Sequence, residues 1–240
     1  MSNLQFFNSN HCPPDTILEF SGTDSWHKYS KNLRRKPKGW IYRNKKIFYS
    51  NNEQGFRTKP FAEVDWQNSI VMFGCSMVYG IGLAEEDTLP IVLENILGIP
   101  VINMGIPAGA VDVACWNSLV LHENDIIPRA IIQLWSGPDR YSTLDKKEGS
   151  SLIHSYVANH GGYDYKYYWH RNSELHIRSD RALWKNKVPY YEASFMDTTA
   201  EQFRIPQMHV SDYARDDMHP GIESIKNCAD RIAKYLNQHL

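Results

Sequence analysis

The stretch SIVMFGCSMVYGIGL at residues 69–83 decides the fold, because it joins a short apolar run to a glycine-rich turn. The run SIVMFG is typical of a strand that is buried on both faces of a parallel sheet. Ser76 follows that strand directly after Cys75. A serine at a tight strand-to-helix turn exposes its hydroxyl, and its own N–H lies where a helix start stabilises negative charge. Ser76 is therefore a candidate nucleophile, and the alternative is a serine that only caps a helix.

The rest of the chain alternates between strand-like and helix-like patterns. Further strand-like runs are PVINMG (100–105), AIIQLW (130–135) and KVPYYEASF (187–195), and apolar residues recur at helical spacing over 85–98, 110–122 and 221–240. Pro90 predicts an early start or a kink in the first of these helices. This alternation is typical of right-handed βαβ units, with helices on both faces of a parallel sheet. We therefore predict an α/β main domain over residues 66–240.

Two parts of the chain are less regular. Residues 1–65 are predicted to be an irregular N-terminal extension packed on the main domain. Within it, the strand-like pieces WIYR (40–43) and KIFYS (46–50) predict a hairpin around Asn44. The tract YDYKYYWHR (163–171) is either a wall on which sugars stack or a packed insertion.

Composition excludes several classes of function. The chain has 240 residues, 42% of them hydrophobic, and a formal net charge of -1 at pH 7. Such a balance is ordinary for a globular protein and favours neither a nucleic-acid nor a membrane partner. The basic run KNLRRKPKGWIYRNKK (31–46) fits an anion-binding surface, but a solvated face is the commoner meaning of such runs. No signal peptide and no membrane-spanning run is readable, which predicts a cytoplasmic protein whose oligomeric state stays open.

Metal and cofactor motifs are missing from the sequence. The four cysteines, which show no CxxC spacing and predict reduced thiols, are Cys12, Cys75, Cys115 and Cys228. Four histidines cluster in sequence, but their spacing does not match the HExxH pattern of a metal site: His154, His160, His170 and His176. The glycines around Ser76 match neither a P-loop, nor GxGxxG, nor the GxSxG elbow. The sequence therefore predicts chemistry without a metal or organic cofactor.

Two further loops carry candidate site residues. NMGIPAGA (103–110) follows the second strand, and Gly105 there is a candidate backbone donor or simply a tight turn. ARDDMHPG (214–221) precedes the last helix, and its Asp216 lies three positions before His219, a spacing at which a carboxylate can orient an imidazole. Because ligands bind outside the carboxyl ends of parallel strands, these loops are expected to meet Ser76 at one edge.

FGCSMVYGIGL, NMGIPAGA and DDMHPG resemble, in order and separation, the first, second and last blocks of the SGNH, or GDSL-like, hydrolase family. The upstream NNEQGFRT (51–58) is similar to a segment that precedes the nucleophile in some members. The resemblance implies a three-layer α/β/α sandwich with a flavodoxin-like parallel sheet. It also implies that Ser76 is the nucleophile, His219 the base and Asp216 its orienting partner, with the Ser76 and Gly105 amides stabilising the oxyanion.

The sequence departs from the family pattern at two places. Cys75 stands where the family name has Asp, and the third block, usually GxND, is replaced by WSGPDRY (135–141), which has no Asn. Ser136 is the candidate replacement for the missing oxyanion donor, and Arg140 and Trp135 are candidate substrate-binding residues. The implied function is hydrolysis of an O-acyl or O-acetyl ester on a small molecule or glycan. The alternative is a non-catalytic protein that binds a ligand or glycan on the same fold.

Overall fold

The elements of the fold are given by a computed structural model that describes residues 4–9, 11–147, 150–157 and 163–240, with only the backbone described at 144–147, 150–157 and 163–166. In chain order they are β1 (Asn8–Ser9), β2 (Ile17–Leu18), α1 (Trp26–Arg35), β3 (Tyr49–Ser50), β4 (Ile70–Gly74), α2 (Ser76–Tyr79), α3 (Leu89–Leu97), β5 (Val101–Gly105), α4 (Val111–Glu123), β6 (Ala130–Leu134), β7 (Arg140–Lys147), β8 (Ser150–Val157), α5 (Tyr163–Trp184), β9 (Tyr190–Ala193), α6 (Asp197–Phe203) and α7 (Ile222–Leu236). Short 3-10 turns lie at Phe61–Glu63, Trp66–Asn68 and Glu85–Asp87.

Four of these strands form the central sheet, in the order β5-β4-β6-β9, and every neighbouring pair is parallel. Numbered along the chain within this sheet, the order is 2-1-3-4, the flavodoxin-like arrangement. The predicted α/β fold is therefore confirmed. The strand register aligns Gly74, at the end of β4, with Gly105 on one side and Leu134 on the other. Residues that follow these three positions consequently leave the sheet at one edge.

Two apolar cores cover the two faces of the sheet. Ile70 and Met72 belong to the core that also contains α3 and α7, whereas Val71 and Phe73 belong to the core with α4 and α5. The alternation along β4 is the period of two that a strand imposes on its side chains. The result is three layers, helix–sheet–helix, as the family resemblance implies.

Close packing of α2 against the strand ends sets the position of Ser76. A Cβ on Gly105 would lie 2.3 Å from the Tyr79 amide nitrogen, and one on Gly74 would lie 2.5 Å from Val78 Cγ2. Only glycine permits such a close approach of a helix to two adjacent strands. The short helix is thereby pressed onto the ends of β4 and β5, with its first residue at the sheet edge.

The predicted hairpin around Asn44 is wrong. Residues 40–43 form a turn instead, and β3 pairs antiparallel with β2, so that Leu18 faces Tyr49. The Arg43 guanidinium holds the turn by donating to the carbonyls of Leu33 and Lys36, each at 2.9 Å. These bonds hold residues 40–43 against the C-terminal end of α1, so the segment does not extend as a strand that could pair with residues 46–50.

Three other differences concern element bounds. Residues 1–65 contain α1, which the irregular interpretation of that segment missed. The predicted helix over 85–98 divides into a 3-10 turn and α3, and Pro90 lies in the first turn of α3, which is the early start that its ring allows. The poorly patterned stretch 141–186 holds the antiparallel pair β7–β8 and the long helix α5. In the described ranges no helix is long and apolar enough to cross a membrane.

Candidate active site

Ser76 is the first residue of α2 and follows Cys75, whose backbone is extended. Cys75 is the N-cap residue and accepts through its carbonyl from the Val78 amide at 3.0 Å, so Ser76 does not cap the helix. The N–H groups of a first turn have no acceptor inside their own helix. Ser76 is half-buried, and its backbone N–H lies in the first turn of α2, where negative charge is favoured.

His219 joins Ser76 to Asp216 through both of its ring nitrogens. Nε2 lies 2.7 Å from Ser76 Oγ, and Nδ1 lies 2.7 Å from Asp216 Oδ2. Ser76 and His219 are 143 positions apart in the chain, and the structure brings them together at the sheet edge. The three side chains form one continuous hydrogen-bonded row, with the serine hydroxyl at its half-buried end.

The carboxylate of Asp216 is fully buried and fully satisfied. Its Oδ1 accepts from the amides of Met218 and His219, each at 3.1 Å, and its Oδ2 accepts from His219. Burial by itself would raise the pKa of Asp216, but the hydrogen bond and charge of His219, the Thr23 hydroxyl and the His219 amide outweigh it and lower the pKa to about 2. Asp216 is therefore an anion throughout the neutral range.

Thr23 is a site residue that sequence reasoning missed. Its hydroxyl donates to Asp216 Oδ2 at 2.6 Å and lies 3.4 Å from His219 Nδ1. Thr23 stands 193 positions before Asp216, in a segment with no readable periodicity, and a lone threonine in such a segment has no pattern that marks it.

A buried ion pair fixes the same loop next to Asp216. Arg215 donates through Nε to Asp24 Oδ1 at 2.9 Å and through Nη2 to Asp24 Oδ2 at 2.6 Å, and both side chains are buried. Asn32 of α1 donates to the Arg215 carbonyl at 2.9 Å, and the Arg215 guanidinium lies over the Phe20 ring at 4.7 Å. Residues 20–32 therefore hold the backbone that carries Asp216.

Arg57 organises the loop on the other side of Ser76. Its buried guanidinium donates to four carbonyl groups, those of Phe48, Tyr79, Gly80 and Leu83. Desolvation lowers the pKa of Arg57, although the facing rings of Tyr49 and Tyr79 and two nearby carboxylates counteract it. Arg57 lies in NNEQGFRT (51–58), so the family resemblance pointed to this segment, but the sequence did not indicate that Arg57 binds four carbonyl groups.

Gly105 does not offer the free amide that was expected of it. Its N–H donates to Asn103 Oδ1 at 2.9 Å, and its lack of a side chain allows α2 to pack closely.

Ala108, three residues later, is exposed and has a left-handed backbone with φ 61. The N–H of Ala108 has no acceptor among the described residues. The Ile106 amide donates to the Gly74 carbonyl at 3.0 Å, so the loop that carries Ala108 leaves the sheet beside the Ser76 turn.

Three candidates from the segment between β6 and the start of β7 lie in different surroundings. Ser136 is buried, and its hydroxyl has no hydrogen-bond partner in the described part of the chain. Arg140 is half-buried, and one of its terminal nitrogens is likewise unpaired there. Trp135 is only 2% exposed, and its indole N–H donates to Glu192 Oε2 at 3.1 Å. The expectation that Trp135 binds substrate is therefore corrected, because its ring packs in a core.

Where the structure describes them, the remaining sequence candidates form no second site. Two lysines of the run at 31–46 pair with carboxylates, Lys36 with Asp217 and Lys45 with Asp87. His160 lies outside the described residues, as does the side chain of His154. Among the residues that are described, no three His, Cys, Asp or Glu side chains gather as a metal site would require. All four cysteines are buried and free.

Comparisons with known proteins give similarity to solved structures only. No family model matches the chain, and no curated protein matches it. The chain is similar to an acetyl xylan esterase, Est2A, from Butyrivibrio proteoclasticus, with 12% identity and a TM-score of 0.47 over 73% of this chain and 65% of that one. A family two carbohydrate esterase from Clostridium thermocellum has 9% identity and a TM-score of 0.48, again over 73% and 65%. A member of the lipolytic protein G-D-S-L family from Veillonella parvula has 11% identity and a TM-score of 0.40 over 71% and 96%.

Proposed function

We propose that this chain is a serine hydrolase that cleaves a carboxylic ester through an acyl-enzyme on Ser76. The observation that carries the proposal is the continuous row from Ser76 Oγ through His219 to Asp216, with both hydrogen bonds at 2.7 Å. A nucleophile within hydrogen-bond reach of a base that a third group orients is the arrangement that activates a hydroxyl. No metal or organic cofactor is part of the proposed chemistry.

The ionised Asp216 decides which nitrogen of His219 acts as the base. A carboxylate can only accept, so the proton of the neutral imidazole is held on Nδ1, and Nε2 keeps a lone pair that faces the Ser76 hydroxyl. As Ser76 Oγ bonds to the ester carbonyl carbon, its proton passes to Nε2. His219 then returns this proton to the departing alcohol oxygen when the carbon–oxygen bond of the ester breaks. A water molecule repeats the sequence on the acyl-enzyme and releases the carboxylic acid.

The developing oxyanion needs donors at the same sheet edge. The Ser76 N–H at the start of α2 is the first donor, and the N–H of Ala108, an exposed residue without an acceptor for this group in the described ranges, is the second in place of Gly105. The Ser136 hydroxyl is the third, because the β4–β6 register puts Ser76 and Ser136 at equivalent positions beyond the paired ends Gly74 and Leu134. An unpaired buried hydroxyl is costly, and a ligand oxygen would satisfy it.

The substrate class that fits this chemistry is an O-acyl or O-acetyl ester of a small molecule or glycan. Arg140, four positions after Ser136, begins β7 and has a terminal nitrogen without a partner among the described residues, so it is the candidate to contact a polar or anionic part of the substrate. Turnover of acetylated glycans beside acetylated small alcohols would separate the two leaving-group classes.

The deciding experiment compares p-nitrophenyl acetate hydrolysis by the unaltered chain, by Ser76→Ala and by Ser30→Ala. Ser30 donates only to a carbonyl of its own helix and serves as the matched serine control. We expect turnover and fluorophosphonate labelling to be lost in Ser76→Ala and kept in Ser30→Ala. Equal turnover by the parent and Ser76→Ala would refute the proposal.

The alternative is a ligand-binding protein without turnover on the same fold. It is favoured by the occupied Gly105 amide and by the absence of Asn from WSGPDRY. Loss of one oxyanion donor can cost about 10²–10³ in turnover. A donor that acts only in the transition state lowers kcat and leaves KM unchanged, whereas a substrate anchor raises KM. We therefore expect Ser136→Ala to lower kcat and Arg140→Ala to raise KM. Unchanged constants in both variants would mean that this segment takes no part in the chemistry and that two backbone amides stabilise the oxyanion alone. Ligand binding by a parent chain that shows no turnover would favour the alternative.

A further inference from the structure

A tight turn of the N-terminal segment reaches the site. The Ser21 and Asp24 backbones exchange two hydrogen bonds of 3.0 Å, and Gly22 has the left-handed φ of 57 that this reversal requires. Gly22 and Thr23 form the corner of the turn, and the Thr23 side chain is exposed to solvent. The corner therefore presents one hydroxyl group at the rim of the site.

Two adjacent residues of this turn contact two adjacent residues of the loop before α7. Asp24 forms the buried ion pair with Arg215, and Thr23 forms the hydrogen bond with Asp216. The ion pair is bidentate, and such a pair fixes orientation as well as distance. Thr23 is thus placed at Asp216 by a rigid neighbour and does not reach it by chance from a mobile surface.

The Thr23 bond completes the set of donors around the Asp216 carboxylate. Two backbone amides hold Oδ1, and the His219 ring and Thr23 share Oδ2. Without the Thr23 hydroxyl, Oδ2 would have only the hydrogen bond from His219, and the carboxylate group could rotate while Oδ1 kept its two amide donors. The hydroxyl therefore fixes the plane of the carboxylate relative to the imidazole ring.

We propose that Thr23 is a positioning residue of this site, which holds Asp216 so that His219 Nδ1–H stays aligned and Nε2 stays directed at Ser76. The proposal rests on the proposed function for its effect on turnover. Its effect on the histidine does not depend on turnover, because the hydrogen bond between His219 and Asp216 joins two side chains of the protein and involves no substrate.

The test compares Thr23→Val, which keeps the shape but removes the hydroxyl, with Thr23→Ser, which restores it. Ser25→Ala is the matched structural control, because Ser25 caps α1 in the same segment and contacts Lys28, not the site. Two quantities are measured: kcat and KM with p-nitrophenyl acetate, and the exchange with water of the His219 Nδ1 proton in protein with ¹⁵N-labelled histidine. A hydrogen bond to a charged group predicts a loss of about tenfold in kcat for Thr23→Val, with KM unchanged.

We expect the Nδ1 proton of His219 to exchange faster in Thr23→Val, and both quantities to return towards the parent in Thr23→Ser. Unchanged kcat and unchanged exchange in Thr23→Val would overturn the proposal. An equal loss of kcat in Ser25→Ala would also overturn it, because the effect would then come from loosening of the segment. If the parent and Ser76→Ala turn over equally, the proposed function fails, and proton exchange alone decides the role of Thr23.

Discussion

The ion pair between Asp24 and Arg215 makes the strongest quantitative prediction. Asp24→Asn removes the charge that two Arg215 nitrogens contact, in a place where the guanidinium is 2% exposed and cannot recover it from water. Breaking a buried pair by neutralising one partner costs about 3–5 kcal/mol. The Glu19 carbonyl at 2.8 Å and the Phe20 ring remain as partners of Arg215, so we expect the lower end, about 3 kcal/mol.

The assay is urea unfolding followed by tryptophan fluorescence, with Arg215→Met and the double variant Asp24→Asn/Arg215→Met measured in parallel. The double variant leaves no unpaired charge, so its loss should be smaller than the sum of the two single losses by at least about 1 kcal/mol. A loss below about 1 kcal/mol in Asp24→Asn, or strict additivity in the double variant, would refute the reasoning.

Three further predictions concern groups around the site and in the core. Arg57→Lys should lower both the melting temperature and turnover, because one ammonium group cannot reach four carbonyls; thermal unfolding and kcat measure this, and parental values of both would contradict it. The lowering of the Asp216 pKa to about 2, from about 3.9 in the unfolded chain, contributes about 2–3 kcal/mol of stability that is fully present above about pH 5 and lost as pH falls through 2. The difference in unfolding free energy between the parent and Asp216→Asn should therefore shrink between about pH 5 and pH 2, and a constant difference would exclude this linkage. Burial raises the pKa of Asp180 to about 6, so its contribution has the opposite sign: it is present below about pH 4 and lost as pH rises through 6. Relative to Asp180→Asn, the parent should lose about 3 kcal/mol over that interval, which unfolding at several pH values would show or exclude.

The central sheet was predictable because β4, β5 and β6 are short, mostly apolar runs with a glycine or proline within three residues of an end. The meeting of Ser76 with His219 was predictable for a related reason, since both follow or precede elements of a parallel sheet at one edge. Helix α1 was missed, because its one buried residue is the polar Asn32, whose side chain donates to the Arg215 carbonyl 183 positions away. The division at residue 65 stays a prediction.

The roles of single residues at the site were harder to predict than the site itself. Gly105 lies in the expected loop, but its amide is already bonded to Asn103 two residues before it, and no sequence pattern shows that competition. Trp135 follows its strand as expected, yet its side chain turns into the core towards Glu192. Thr23 acts through a partner 193 positions away, which only the folded chain can show.

The distance along the chain between Thr23 and Asp216 has a consequence for biosynthesis. Closing so long a loop costs conformational entropy, which is offset only when the contacts between its ends form. Because the ribosome releases the chain from its N-terminus, the residues near position 216 are available last. Strands β4, β5 and β6 can pair once residue 134 is out, but the Asp24–Arg215 and Ser76–His219 contacts cannot form until residue 219 has been made. In a partly synthesised or truncated chain Ser76 would therefore lack its His219 partner, and the hydrolytic activity proposed for this chain would require the final segment.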